Sequence, residues 1–257
     1  MLTTKMFVLF LGLLFSGMLL FIHAGRRIAA WQHANRPDMI RSTGAVDSAV
    51  LVLMGLLLAF TFSGAGARFD ERRKLVAEEA NHIGTAYLRL DLLPPETQPK
   101  LREDFRRYVG SRLAVYEKIP DAEAVRAELR KSAEIQNEIW KQAVTASQQS
   151  GSPAVMILVL SPVNEMIDIT TTRAVAAEMH PPRVIFIMLG VTVLASCLLA
   201  SYSMSVAGHP SLVHMIVFVL LVGIAVYVTF DFEYPRMGLI RVDPVDHVLI
   251  ETLERMQ

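Results

Sequence analysis

The stretch GAVDSAVLVLMGLLLAFTFSGAGARFDERRKLVAEEANHIGTAYLRLDLLPP, residues 44–95, decides the fold. Ala45 to Ala67 is an apolar run long enough to span a bilayer. It continues without a proline into a charged helix that only Pro94-Pro95 stops. At about 1.5 Å per residue such a helix runs roughly 70 Å, against roughly 30 Å of hydrocarbon. Half of it therefore belongs in lipid and half in water. Beyond the span, Phe69, Val76, Ile83 and Leu90 recur every seven residues, with Ala80 and Tyr87 between them and Arg73 interrupting that second series. This is a seam of period 3.5. It packs either on helices of its own chain or on its copy in a neighbour. Within the span, Gly55, Ala59, Ser63 and Ala67 share one face, which lets another helix approach closely. Contact inside one subunit and contact around an oligomer axis both fit that face.

The remaining composition agrees with a chain divided between lipid and water. Of 257 residues 53% are hydrophobic and 19% charged, and the mean hydropathy is +0.39. Net charge is zero and no Lys/Arg-rich block occurs, so nucleic acid is excluded as a partner. The single cysteine, Cys197, lies in an apolar run and reads as a packing residue.

Three further apolar runs accompany the second span. Met6 to Ala24 lies between Lys5 and Arg26-Arg27. A cleaved signal peptide is its rival reading, weakened by the length of the run, Ile22 at −3 and two arginines after the cut. Arg26 to Ser42 follows as a polar connector, with Trp31 as an interfacial anchor. The third span is Val184 to about Ala207 and the fourth Leu212 to Phe230, joined by a short uncharged connector.

Helices fill the interval between the second and third spans. Gln98 to Lys118 turns Leu101, Phe105, Tyr108, Val109, Arg112 and Val115 inward. Ala122 to Gln149 turns in Val125, Leu129, Ile135, Ile139 and Ala143, after a break and N-cap at Pro120-Asp121. Pro153 to Met179 reads as one helix kinked at Pro162. The tail ends in an amphipathic helix, Pro244 to Met256.

The fold class expected is all-α: a polytopic membrane protein with four transmembrane helices and a helical cytoplasmic domain between spans two and three. The expected divisions are a first transmembrane pair (1–67), the helical domain (68–182), a second pair (183–232) and a cytoplasmic tail (233–257). Four spans place both termini and the large domain on one side. That side carries Lys5, Arg68, Arg72, Arg73, Lys74, Arg173, Arg183, Arg236 and Arg241 near span ends. The other carries Arg26, Arg27, Arg36 and Arg41. The excess puts the domain in the cytoplasm and the chain in a bacterial inner membrane.

No P-loop, zinc spacing, Gly-x-Ser-x-Gly or GxGxxG motif is present, so no enzyme, cofactor or metal is expected. The informative residues are polar ones at membrane depth. Asp47 sits about one turn into the second span, where ionisable groups face protein or water. It either caps and snorkels or serves conduction. If the second span lines a pore, Phe60 or Phe62, with Leu56 or Leu58 a turn away, supplies an apolar constriction; contact with lipid or core is the other reading of each ring. Asn81, His82 and Thr85, with Glu78 and Glu79, form a polar patch beyond the membrane: a satisfied network if buried between helices, or the ring of an aqueous vestibule in an oligomer. Asp231 and Glu233 close the fourth span ahead of Arg236, as membrane-face ion pairs or an acidic ring.

Three motifs carry a family resemblance: Leu56-Leu57-Leu58-Ala59-Phe60-Thr61-Phe62-Ser63, then Arg68-Phe69-Asp70-Glu71-Arg72-Arg73, then Glu78-Glu79-Ala80-Asn81-His82-Ile83-Gly84-Thr85-Ala86-Tyr87-Leu88-Arg89. Together with the tail Gly238-Leu239-Ile240-Arg241-Val242, they resemble the bestrophin-like domain family of bacterial membrane proteins. The resemblance covers roughly Gly44 to Val242. It implies a distant likeness to bestrophins, which are pentameric anion channels with a pore-lining second helix. No counterpart of their acidic calcium clasp is evident. The expected function is a passive ion channel, a homo-oligomer in the lipid bilayer passing small ions. The alternative is a non-conducting scaffold or sensor whose helical bundle binds a protein partner.

Overall fold

The computed structural model describes residues 4–36, 44–119, 121–208, 211–235, 238–240 and 243–256. The chain is an all-α multi-pass membrane protein. Its helices are α1 (Thr4–Asn35), α2 (Gly44–Leu88), α3 (Gln98–Glu117), α4 (Ala122–Gln149), α5 (Pro153–Glu178), α6 (Arg183–Val206), α7 (Leu212–Glu233) and α8 (Asp243–Glu254). A 3₁₀ turn, Arg89–Leu92, tightens the end of α2. Four helical segments are long and apolar enough to cross a membrane. Two local expectations need correction. Arg26 to Asn35 is not a connector but the last turns of α1, because no proline breaks the helix before Pro37. At its end Asn35 Nδ2 donates to the Trp31 carbonyl at 2.9 Å. Leu129, expected inward on α4, is exposed. The buried stripe of α4 runs through Ser132, Ile135, Gln136, Ile139 and Ala143, which leaves Leu129 about 65° round the helix from its centre, at the stripe's edge.

One compact unit contains residues 2–67 and 180–234. Its core joins Leu14, Met18 and Ile22 of α1, Met54 of α2, Leu189, Val193 and Cys197 of α6, and Val219, Val222 and Phe230 of α7. With lipid as apolar as these side chains, close contact rather than hydrophobic burial holds such helices together. Gly25 shows how close: a Cβ there would sit 2.4 Å from the Leu198 carbonyl oxygen on α6. Nearby, Ser201 Oγ of α6 donates to the Ile22 carbonyl of α1 at 2.7 Å.

The other unit contains residues 68–179 and 235–257. The heptad seam is its spine. Phe69, Val76, Ala80, Ile83, Tyr87 and Leu90 are all buried within the single chain, with the Tyr87 ring 5.9 Å from that of Phe105 on α3. The seam is therefore satisfied without a neighbour. The tail returns to this unit: Tyr87 Oη and Arg106 Nη1 donate to the Met256 carbonyl at 2.9 and 2.8 Å. Arg72 Nε and Nη2 donate to the Ala176 and Met179 carbonyls, capping the end of α5. Pro162 sits inside α5 and has no N–H for the Leu158 carbonyl four residues back. Arg89 Nη1 takes that place, 3.1 Å from the Leu158 oxygen.

Candidate functional site

The two faces of α2 in its apolar half differ in what they touch. Met54 and Asp47 are turned into the chain, with Leu51, Leu57 and Leu58 packed on the same core. Asp47 accepts a hydrogen bond from Ser203 Oγ of α6. A carboxylate one turn into a span is thus held inside the protein, as the cost of charge in lipid requires. Gly55, Leu56, Ala59, Phe60, Ser63 and Ala67 lie on the opposite, exposed face. Nothing comes within 4 Å of a Cβ built on Gly55. The small-residue row is therefore unused by the chain itself. Phe60 is 67% exposed and Leu56 50%. Phe62 differs: its ring lies 5.5 Å from that of Phe232 on α7. Of the two phenylalanines, only Phe60 stands on the small-residue face.

In the water-side half of α2, Glu78, Asn81 and Thr85 are exposed. His82 Nδ1 lies 3.3 Å from Glu165 Oε2 of α5. Ser161 Oγ donates to Glu165 Oε1 at 3.4 Å and Asn164 Nδ2 to Asp168 Oδ2 at 2.7 Å, continuing the polar surface along α5. The candidate vestibule residues thus share one solvated face of α2 and α5.

Glu79 does not belong to that surface. It is fully buried and accepts from Arg112 Nε at 2.6 Å and from Arg173 Nη1, with Tyr108 Oη at 3.4 Å. Arg173 also donates to Tyr116 Oη. One carboxylate thereby ties α2, α3 and α5. Burial pushes the Tyr108 phenol up to about 12, so it stays a neutral hydrogen-bonding group. A carboxylate that the sequence reading does not single out is Asp104, whose side chain is fully buried and accepts from Lys100, Arg107 and Gln142, each at 2.8 Å. Burial raises its pKa, but those three donors outweigh it and hold the carboxyl below its ordinary value.

At the end of α7, Asp231 and Glu233 are buried. Glu233 Oε1 meets His180 Nδ1 at 2.7 Å, and the His180 ring lies 4.7 Å from Tyr234. His180 is one partner of Glu233; Arg236 lies outside the described residues. Among the described residues no group of three His, Cys, Asp or Glu could hold a metal ion.

Comparison with known proteins bears on the family and the fold. A family model for the bestrophin-like domain matches residues 12–246. The structure resembles a crystal structure of a bacterial bestrophin homologue from Klebsiella pneumoniae, with a TM-score of 0.70 at 17% identity, covering 93% of this chain and 97% of that one. A point mutant of the Klebsiella pneumoniae homologue matches with a TM-score of 0.71 at 15% identity, covering 95% and 98% of the two chains. A crystal structure described only as a membrane protein matches with a TM-score of 0.68 at 18% identity, covering 95% and 98%. At these identities the likeness is one of fold. No curated protein matches the chain.

Proposed function

The chain belongs to the bestrophin-like domain family, and from that premise we propose that it is a passive ion channel, a homo-oligomer in which α2 lines the conduction path. The observation that carries this reading is the exposed face of α2. Gly55, Ala59, Ser63 and Ala67 turn away from their own chain beside Leu56 and Phe60. Small residues in a row permit backbones to approach. That property has no use against lipid alone, but it has one around an axis of copies. Leu56 and Phe60, one turn apart, would then face the axis and form the narrow apolar point, where dewetting gates passage. Phe62 is assigned to the contact with Phe232, and Asp47 to fastening α2 on α6 through Ser203.

Past the span, Asn81, His82 and Thr85 would line an aqueous vestibule with the polar residues of α5. The charge bias near the span ends supports placing this part in the cytoplasm of a bacterium, with the chain in the inner membrane. Nothing in the proposal calls for a bound cofactor or a covalent step.

The test is ion flux into liposomes reconstituted with the purified, folded protein. Conductance above that of empty vesicles is the expected result. Its absence would replace the channel with a scaffold whose helical unit binds a protein partner.

A further inference from the structure

The helical unit holds a cavity apart from the conduction path. The first turn of α3 and the last turns of α4 leave a space of about 300 Å³ between them. That is at the lower end of the range for small-molecule sites. Its floor is apolar and inaccessible, formed with Leu101 and Ala146, which are 1% and 2% exposed. Its rim carries Lys100 and Lys141, the amides of Gln142 and Gln149, and the hydroxyls of Thr97 and Thr145.

Two of these rim groups are fixed from beneath. Asp104 accepts from Lys100 Nζ and Gln142 Nε2, each at 2.8 Å. A buried carboxylate that holds two lining donors in place is the support a preformed site needs. Asp104 also meets Arg107 Nη1 at 2.8 Å, and Arg107 in turn reaches Glu138 Oε2 at 3.4 Å, so the surplus positive charge of the rim is that of Lys141. No carboxylate lines the space, and both charged lining residues are cations. Thr97 and Thr145 already donate to backbone carbonyls, at 2.8 and 3.0 Å. The remaining donors are therefore the ammonium groups and the amides.

We propose that this cavity binds a soluble organic phosphate: a compact dianion between Lys100 and Lys141, with a small apolar body on Leu101 and Ala146. Two ammonium groups favour a doubly charged head over a carboxylate. The volume limits the body to about the size of one ring.

The experiment is titration calorimetry of the full chain in mild detergent at low salt, with phenyl phosphate as probe and phenol as its neutral counterpart. Saturable one-site binding of phenyl phosphate, and none of phenol, is expected. Lys141→Glu should weaken binding about tenfold or more, as loss of one charge-assisted contact does. Thr145→Asp, which puts a carboxylate on the exposed rim, should do the same and carries the test if Lys141→Glu fails to fold. Three results each overturn the proposal: no saturable binding by the folded wild type, equal binding of phenol, or binding that a folded rim variant leaves unchanged.

Discussion

Arg112 Nε lies 2.6 Å from Glu79 Oε1, with the arginine side chain 7% exposed and the carboxylate not at all. Arg173 reaches the other oxygen of the same carboxylate. Removing Glu79 strands two guanidinium groups away from water, and breaking such a pair from one side costs about 3–5 kcal/mol. Glu79→Ala should therefore lower stability by about that amount in thermal or denaturant unfolding in detergent. Glu79→Gln should cost less, since an amide oxygen still accepts. A change within about 0.5 kcal/mol for Glu79→Ala would show that the cluster does not hold the three helices.

Asp104 gives the unit an acid limit. Its folded pKa is depressed because donors from Lys100, Gln142 and Arg107 outweigh the effect of burial. The stability it adds is fully present above the unfolded value, about 3.9. That stability is lost as the pH falls below this value and through the folded one. Melting curves from pH 6 to pH 2.5 should show wild-type stability dropping below about pH 4. Asp104→Asn should cost about 1.5–3 kcal/mol at neutral pH and flatten this part of the profile. An unchanged acid profile in the variant would assign the acid loss to other carboxylates.

The periodicity of α2 made its seam legible in the sequence, because a row repeating every seven residues has one direction to face. The same row also placed Glu79, which lies between Val76 and Ile83 and beside Ala80 on the buried side. In the sequence it falls in one polar patch with solvated Glu78, because two neighbouring carboxylates in a charged segment look alike until the helix phase is followed to each. Arg112, already on the inward face of α3, was the cue that a buried acid must meet it. Asp47 called for a partner, but Ser203 is 156 residues away in the chain. The direction of the Gly55 row was open for a related reason. Small residues permit close approach without naming what approaches, and only the fold shows that the chain itself leaves that face uncovered.

Phe60 and Phe62 should separate in a flux assay. Phe60→Ala removes the ring exposed beside Leu56 and should raise leak through reconstituted protein. Phe62→Ala should instead loosen the contact with Phe232 and lower stability without raising conductance. Phe218, packed on the core of the same unit, is the control, and Phe218→Ala should destabilise without leak. Equal conductance for all three variants and the wild type would remove Phe60 from the narrow point.

Native mass spectrometry in mild detergent should find an assembly of identical subunits. A monomer at every concentration would leave the small-residue face of α2 to lipid.

Reporter fusions at Arg36, Gln149 and the C-terminus should place Gln149 and the C-terminus in the cytoplasm and Arg36 outside. An external signal at Gln149 would invert the orientation.

Pro162 has a consequence for how this chain tolerates change. The Leu158 carbonyl belongs to its own helix in an ordinary α-helix, but here Arg89 holds it. The hydrogen bonding of α5 at Pro162 and its attachment to the end of α2 are therefore one variable. Alanine at 162 would be an improvement on helix propensity alone. It would also offer the carbonyl a donor from within, in competition with Arg89. Positions 89 and 162 thus form a single epistatic locus: the effect of replacing either depends on which residue occupies the other, and their combined effect differs from the sum of the two.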